Sequence, residues 1–418
     1  MTFGIYTLGC RVNQYESRII SEKLAEMGYQ ELSFSSVCNI YIINSCAVTA
    51  ESVRKSKQII RRAKKLNHNA KIIVTGCLAQ VSANEVESLG DIRHIIGNKN
   101  KINDVINIVQ HSSPCTKVES FDGAEYENFS LTQPTRAREY IKIQDGCEGK
   151  CTYCVIPRAR GPIRSKPKAS VIQEVYNLAD NGVKEIIFTG IEIASYEYDL
   201  SDLLSQTDQI DGIERISMGS LEPTLITEEF AKKLAKVKKL TPHFHISVQS
   251  GCTTVLNRMR RKYNVNMLEA SIRHLREYIP HIQLTCDIIV GFPGESDLEF
   301  EQTKEFLMRN KFLHAHIFPY SKRPETVAAE MTDQIPENIK SRRCTELEEV
   351  QKSIKADILK KELTRTKVPV LFETFKNGVN RGHSDNYIEY TLNSDIDHTG
   401  FIIEVTPKST DGDSISAE

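Results

Sequence analysis

At 418 residues, with 40% hydrophobic and 26% charged side chains, the chain is long enough for two or three domains with buried cores. No run of about 18 apolar residues occurs, which argues against a membrane span, and the opening "MTFGIYTLGC" lacks the basic region and long apolar stretch of a secretion signal. A cytoplasmic location is expected, where eleven cysteines stand as thiols or metal ligands rather than disulfides; the formal net charge of −1 means that any nucleic-acid-binding surface must be local.

Residues 1–110 alternate short β-branched runs, "TFGIYT", "NIYIIN", "KIIVTG" and "HIIG", with segments of 3.6-residue apolar periodicity. This pattern predicts repeated β-α units on a parallel sheet. Residues 113–135 are rich in Ser, Pro and Asp with little periodicity, and read as a linker. From residue 139 six strand runs, "EYIKIQ", "EIIFTG", "ERISMG", "HFHISV", "QLTCDIIVGF" and "HAHIFPY", alternate with helical patterns, enough for a partial or complete parallel (β/α) barrel. A charged helix is predicted over residues 336–363, followed by short strands "VPVLFET", "YIEYTL" and "FIIEVTP" at hairpin spacing. The expected fold is α/β: an N-terminal parallel β-α domain (1–112), a linker (113–135), a barrel domain (136–363) and a small all-β module with a tail (364–418).

The stretch "GCEGKCTYC" places Cys147, Cys151 and Cys154 at C-x3-C-x2-C spacing in a Gly-containing loop after the first barrel strand. A closed zinc site wants four ligands, usually as two separated pairs, and no partner pair lies nearby. Three thiolates suit a [4Fe–4S] cluster with one iron left open. Three more cysteines, Cys10, Cys46 and Cys77, each follow a predicted strand and precede a helix. In an open parallel sheet those strand ends share one edge, so three thiols spread over 67 residues should converge there. Gly9 and Gly76 would let backbone approach a bulky group closely. Of the other five, Cys38 and Cys286 read as core, Cys115 as linker, and Cys252 and Cys344 as structural.

The C-x3-C-x2-C motif, with Tyr153 before its last cysteine, resembles the radical S-adenosylmethionine (SAM) superfamily. Two three-cysteine sets in this order, followed by a small β module, resemble the methylthiotransferase family over essentially the whole chain. The likeness extends through "HFHISVQSG", with His243, His245, Gln249, Ser250 and Gly251, and through "DIIVGFPGES" and "FPYSKRPETVAAEM". "LGCRVNQYES", with Leu8, Val12 and Glu16, is similar to the branch that modifies N6-threonylcarbamoyladenosine in tRNA, rather than to the branches acting on isopentenyladenosine or on a ribosomal protein. The C-terminal module resembles a TRAM domain, most visibly in "GHSDNYIEY".

The resemblance implies a tRNA-modifying enzyme with two [4Fe–4S] clusters, held by Cys10, Cys46 and Cys77 and by Cys147, Cys151 and Cys154. SAM bound at the second set would be cleaved to a radical that attacks C2 of the modified adenine; a methylthio group carried at the first set would follow. Tyr153, Thr189, Gly190, Glu192 and Glu222 are the implied SAM contacts, with Glu192 standing where many relatives carry Asn. No catalytic residue beyond the cluster ligands is implied. The implied partners are a tRNA anticodon stem-loop, an electron donor such as flavodoxin or ferredoxin, and a sulfur source, with no membrane. An iron–sulfur RNA-binding regulator would explain the cysteines but not the barrel motifs.

For RNA, "RKSKQIIRRAKK" holds seven basic residues in twelve, and Arg54, Lys57, Arg61 and Lys65 fall on one helical stripe. "RARGPIRSKPK", with Arg158, Arg160 and Arg164, follows the radical cysteines and is expected to meet substrate phosphates. In the last module Arg365, Lys367, Lys376 and Arg381 are the expected RNA contacts. The eight acidic residues and one lysine from Asp385 onward are expected to end in a solvated tail.

Overall fold

The structure, a computed structural model, describes residues 1–90, 92–111 and 113–418. Six strands, β1 (Thr2–Thr7), β2 (Gln30–Glu31), β3 (Ile40–Ser45), β4 (Lys71–Gly76), β5 (His94–Ile96) and β6 (Cys115–Lys117), pair in parallel in the order β2-β1-β3-β4-β5-β6. Every residue of β3 is buried, as expected of a parallel strand covered on both faces. One face is covered by helix α1 (Arg11–Glu26), whose Tyr15, Ile19 and Ile20 enter the main core. The other is covered by α2 (Ala50–Leu66), which buries Val53, Ile59, Ile60 and Ala63 and turns its basic residues outward. Thr49 and Ser52 form a reciprocal capping box at the start of α2.

The four expected strands occur where the β-branched runs lie; β2 and β6 are additions at the two sheet edges. Cys115 is therefore a strand residue, paired with His94, rather than part of a linker. The rest of the expected linker is a packed strap. Leu131 is buried, the Tyr15 hydroxyl donates to the Phe129 carbonyl at 2.9 Å, and the Tyr126 hydroxyl donates to the Lys142 carbonyl. Weak periodicity marks such a segment as irregular without telling whether it is free, because its partners are distant in sequence. The boundary expected at residue 112 lies outside the described residues.

The second unit is an open barrel. Strands β7 (Arg138–Lys142), the short hairpin β8 (Gln144–Asp145) and β9 (Arg164–Ser165), then β10 (Glu185–Thr189) and β11 (Arg215–Met218) form its first half. Strands β12 (His243–Gln249), β13 (Gln283–Val290) and β14 (His314–Pro319) form the second. Within each half the main strands are parallel, in the orders β11-β10-β7 and β12-β13-β14, and bridges Ile216↔Leu240 and Leu221↔Ile246 join the halves. Helix α1 packs against β7, so one apolar cluster runs from Phe3, Ile19 and Ile42 through to Ile141, Phe188 and Ile288.

A helix, Glu337–Glu362, leads to six strands: β15 (Val368–Lys376), β16 (Val379–Ser384), β17 (Glu389–Asn393), β18 (Ile402–Val405), β19 (Pro407–Thr410) and β20 (Ile415–Ala417). They form a mixed sheet, β18-β15-β16-β17-β20-β19, curled around Val368, Phe372, Tyr390 and Ile415 in the manner of a small barrel. The acidic end is not a solvated tail: β20 pairs with β17, and Ile415 is fully buried. Its alternation was too short to announce a strand. Among the described residues no helix is long and apolar enough to cross a membrane.

Candidate active site between the two cysteine sets

Cys147, Cys151 and Cys154 lie on the loop between β8 and the helix Ile156–Arg160, at the C-terminal mouth of the barrel. The turn requires glycine at Gly146, where φ is +79° and a Cβ would stand 1.8 Å from the Pro162 carbonyl oxygen. N–H groups converge on the sulfurs: Gly149 N on Cys147 Sγ at 3.2 Å, Ile156 N on Cys154 Sγ at 3.4 Å, and the Arg261 guanidinium on Cys151 Sγ at 3.1 Å. Donors aimed at sulfur favour thiolates and tune a cluster bound to them. Against this, burial raises Cys147 and pushes Cys154 up to about 12, so a metal held by these two sulfurs would have to displace their protons.

The residues expected around SAM border the same mouth. Tyr153 packs edge-on to Phe292, with ring centroids 6.4 Å apart. Thr189 ends β10, and beyond it a Cβ on Gly190 would meet the Gln144 side chain at 3.0 Å. Glu192 donates its amide to Gln144 Oε1 at 2.8 Å, while burial and the neighbouring Glu222 raise its carboxyl to about 7. Glu222 faces Arg261 at 3.4 Å. Two carboxyl groups beside the thiols suit the ammonium and ribose hydroxyls of a bound SAM. Arg261 and Gln144 were not among the expected site residues; the basic run in "NRMRRKYN" was the available signal for Arg261, and Gln144 had none.

The second set forms at the sheet edge. Cys10 is the N-cap of α1, Cys46 follows β3, and Cys77 opens α3 (Cys77–Val81) directly after β4. Their thiols interact electrostatically with one another, and burial raises both Cys10 and Cys46. Cys10 is nonetheless reached by solvent, whereas Cys46 and Cys77 are buried. Gly9 and Gly76 have φ of +93° and +95°. A Cβ on Gly9 would stand 2.9 Å from Cys46 Sγ, and one on Gly76 would stand 2.4 Å from the Ser45 carbonyl. Asn98, after β5, places its amide 3.8 Å from Cys77 Sγ and donates to the Ala159 carbonyl at 2.7 Å. Ala159 belongs to the helix that follows Cys154, so that helix joins the two cysteine sets.

Behind this junction lies a buried ion network. Arg160, with no exposed surface, donates to Glu16 at 2.6 Å, to Asp145 at 3.2 Å and to the Asn13 side chain. Lys101 reaches Glu16 at 2.5 Å, and Lys142 reaches Glu16 at 2.9 Å and Asp145 at 3.0 Å. Arg164 adds a contact to Asp145 at 3.5 Å, so four cations face two carboxylates, and among the described residues the Arg160 Nε and Arg164 NH1 atoms have no hydrogen-bond partner. Such an excess is costly in an apolar interior unless an anion completes it. Cys10 and Cys77 lie within electrostatic reach of Arg160. Thiolates carrying an iron–sulfur group fit this donor set, the glycine cradle and the surplus charge together.

This placement corrects one expectation. Arg160 and Arg164 are turned inward and do not present charge to a phosphate. Arg158 is at the surface, paired with Glu325 at 2.8 Å. On α2, Arg54 pairs with Glu51 and Lys57 with Glu85, while Arg61 and Lys65 are exposed. The start of α2 adjoins the barrel mouth, where Ala50 N donates to Ser321 Oγ at 2.9 Å. In the last module Arg365, Lys367 and Arg381 pair with Asp385, Glu404 and Glu389 respectively.

Residues 141–307 match the radical SAM superfamily, and residues 2–97 match the uncharacterized protein family UPF0004. The threonylcarbamoyladenosine tRNA methylthiotransferase MtaB of Bacillus subtilis is 36% identical over 419 residues, covering 97% of this chain and 93% of that protein. The chain belongs to the radical SAM methylthiotransferase family. It is an enzyme of that family, whose cofactors are SAM and [4Fe–4S] clusters. The tRNA-2-methylthio-N(6)-dimethylallyladenosine synthase of Helicobacter pylori is 33% identical, covering 98% of this chain and 94% of that protein. Among solved structures, the radical SAM methyltransferase TsrM from Kitasatospora setae shares the fold, with a TM-score of 0.59 and 16% identity over 78% of this chain and 77% of that one.

Proposed function

We propose that this methylthiotransferase acts on tRNA, adding a methylthio group to C2 of N6-threonylcarbamoyladenosine (t6A) beside the anticodon. The observation that carries the reading is the juxtaposition of the two cysteine sets through the helix Ile156–Arg160, in a chain whose MtaB relatives align from end to end. Cys147, Cys151 and Cys154 hold one cluster, and Cys10, Cys46 and Cys77 hold the other. When bound, these groups supply hydrogen abstraction from unactivated carbon and a carrier for sulfur.

The chain's own residues bind and orient. Glu192 and Glu222 accept hydrogen bonds from SAM, with Thr189, Gly190 and Tyr153 shaping its pocket; Arg261 neutralises the thiolate side of that pocket. Arg158 and the stripe of Arg54, Lys57, Arg61 and Lys65, which runs away from the mouth along α2, meet phosphates of the anticodon stem-loop, which position it without reading its sequence. The target base turns out of its stack to reach the interior. An electron donor such as flavodoxin or ferredoxin and a sulfur source complete the reaction. Mass spectrometry of tRNA nucleosides from cells with and without the gene tests the reading. Loss of the 2-methylthio form of t6A, with t6A accumulating, is expected. Loss of the isopentenyl form instead would move the substrate to the other branch, and no change in either would overturn a tRNA role.

A further inference from the structure

The lower interior of the barrel carries a polar group of side chains that the cysteine chemistry does not use. On the three strands β12, β13 and β14, alternate residues face a cavity of about 300 Å3: His243 and His245, then Thr285, then His314 and His316. Thr285 Oγ1 bonds His243 Nε2 at 3.1 Å and His245 Nδ1 at 3.0 Å, which leaves His245 Nε2 directed at Asp287 Oδ2, 3.1 Å away. The His316 ring lies 5.7 Å from that of His245. Tyr387 of the C-terminal module closes the floor, stacked on His243 at 4.1 Å. The opposite wall is Arg11, the residue after Cys10, with its guanidinium 5.6 Å over the Tyr140 ring.

The cavity connects to the proposed reaction centre at both sides. Arg11 ties it to the sheet-edge cysteines. Along β12 the Ser247 carbonyl accepts from Tyr263, which bonds Arg261, which touches Cys151. His245 lies two residues below Ser247 on the same face, about 7 Å at the usual strand rise. A base presenting C2 between the cysteine sets would direct the substituent on its neighbouring N6 edge down towards these histidines. Burial and adjacent charges hold His243, His314 and His316 low, so they serve as neutral donors and acceptors; of the two cations lining the cavity, Lys355 is paired with Asp413 at 3.1 Å, and Arg11 stands on the side of the cysteines.

We propose that Arg11, His245, Asp287 and His316 form the subsite for the threonylcarbamoyl substituent, with Arg11 on its carboxylate and the His–Asp group on its amide and hydroxyl. This rests on the t6A reading above and adds how t6A is told from an apolar N6 group. A dimethylallyl chain would cover Arg11, His316 and the second carboxylate oxygen of Asp287 without bonding them, a strong basis for rejection.

The test measures dissociation constants of the reconstituted full-length enzyme for anticodon stem-loops carrying t6A, unmodified adenosine or isopentenyladenosine. The wild type should prefer t6A over unmodified adenosine by about tenfold or more. His316→Leu, on the accessible edge strand, and Arg11→Gln should each reduce that ratio to within about twofold of unity with iron content retained. A ratio unchanged in both variants overturns the subsite, even where nucleoside analysis upholds t6A as the substrate. His245, Asp287 and His316 also bring donor atoms within 4.8 Å of one another. Stoichiometric zinc or manganese that survives dialysis and is lost in His316→Leu would therefore overturn the proposal in favour of a cation site. A wild type without any preference for t6A, in cells whose 2-methylthio-t6A is unaffected by the gene, removes the functional reading itself.

Discussion

The two cysteine sets are assembled by opposite routes. Cys147, Cys151 and Cys154 occupy eight consecutive residues on one loop, and amides of that same segment, Gly149 and Ile156, reach their sulfurs. Cys10, Cys46 and Cys77 come from three β-α junctions and meet only because β1, β3 and β4 are neighbours in one parallel sheet. A local set depends on its loop; a distributed set depends on a whole domain and on what that domain is docked against. The buried network of Arg160, Glu16, Asp145, Lys101 and Lys142 is where that dependence concentrates.

The sharpest way to separate the two sets is to remove one cysteine from each. Cys151→Ala should abolish both SAM cleavage and methylthio transfer, whereas Cys46→Ala should abolish transfer and leave uncoupled cleavage to 5′-deoxyadenosine. Iron analysis should show about half the wild-type content in each variant. Equal loss of cleavage in both would mean that the sets do not fold independently.

The next effect comes from Arg160→Met. Glu16 and Asp145 then lose a fully buried partner, and breaking such a network costs about 3–5 kcal/mol. Thermal unfolding should report that loss, with iron leaving the sheet-edge set before the barrel loop. Gly76→Ala probes the cradle alone. A methyl group forced against the Ser45 carbonyl at positive φ should cost about 1–3 kcal/mol and reduce iron retention at the first set only.

Acid should loosen the docking. The neighbouring cations hold Glu16 well below the usual carboxylate range and Asp145 at about 2. Both pKa values are depressed on folding, so their stabilisation is present above the unfolded values and is lost as pH falls through the folded ones. For Asp145 the window runs from 3.8 down to about 2, and tyrosine near-ultraviolet dichroism of the apoprotein should fade across it. The smallest effect belongs to the exposed stripe. Arg61→Ala should leave stability unchanged and lower the salt-dependence slope of tRNA binding by about one.

Much of the architecture was legible because parallel strands covered on both faces must be apolar throughout. "IYIIN" and "KIIVTG" could hardly be anything else, and six β-rich runs, some alternating as in "HFHISV", marked the barrel. The short strands β2, β6 and β20 escaped notice, since two or three residues carry no usable period, and β16 and β19 did so because "VNRGHS" and "PKST" are largely polar. The same limit misassigned Arg160 and Arg164. A basic run beside an active-site loop looks like a phosphate clamp, and only the docking of α1 revealed the Glu16 carboxylate waiting 144 residues from Arg160 in the chain.

Residue identity and spacing were sufficient to mark the candidate site: three thiols in one loop, three at strand ends, and glycines where a side chain would clash. These are short-range requirements, written within a few residues of each sulfur. Which charges face solvent and which balance a buried anion, and which histidines share one cavity, were settled by tertiary packing. Burial and distance govern the sign and strength of an electrostatic interaction, and neither is a property of the linear chain.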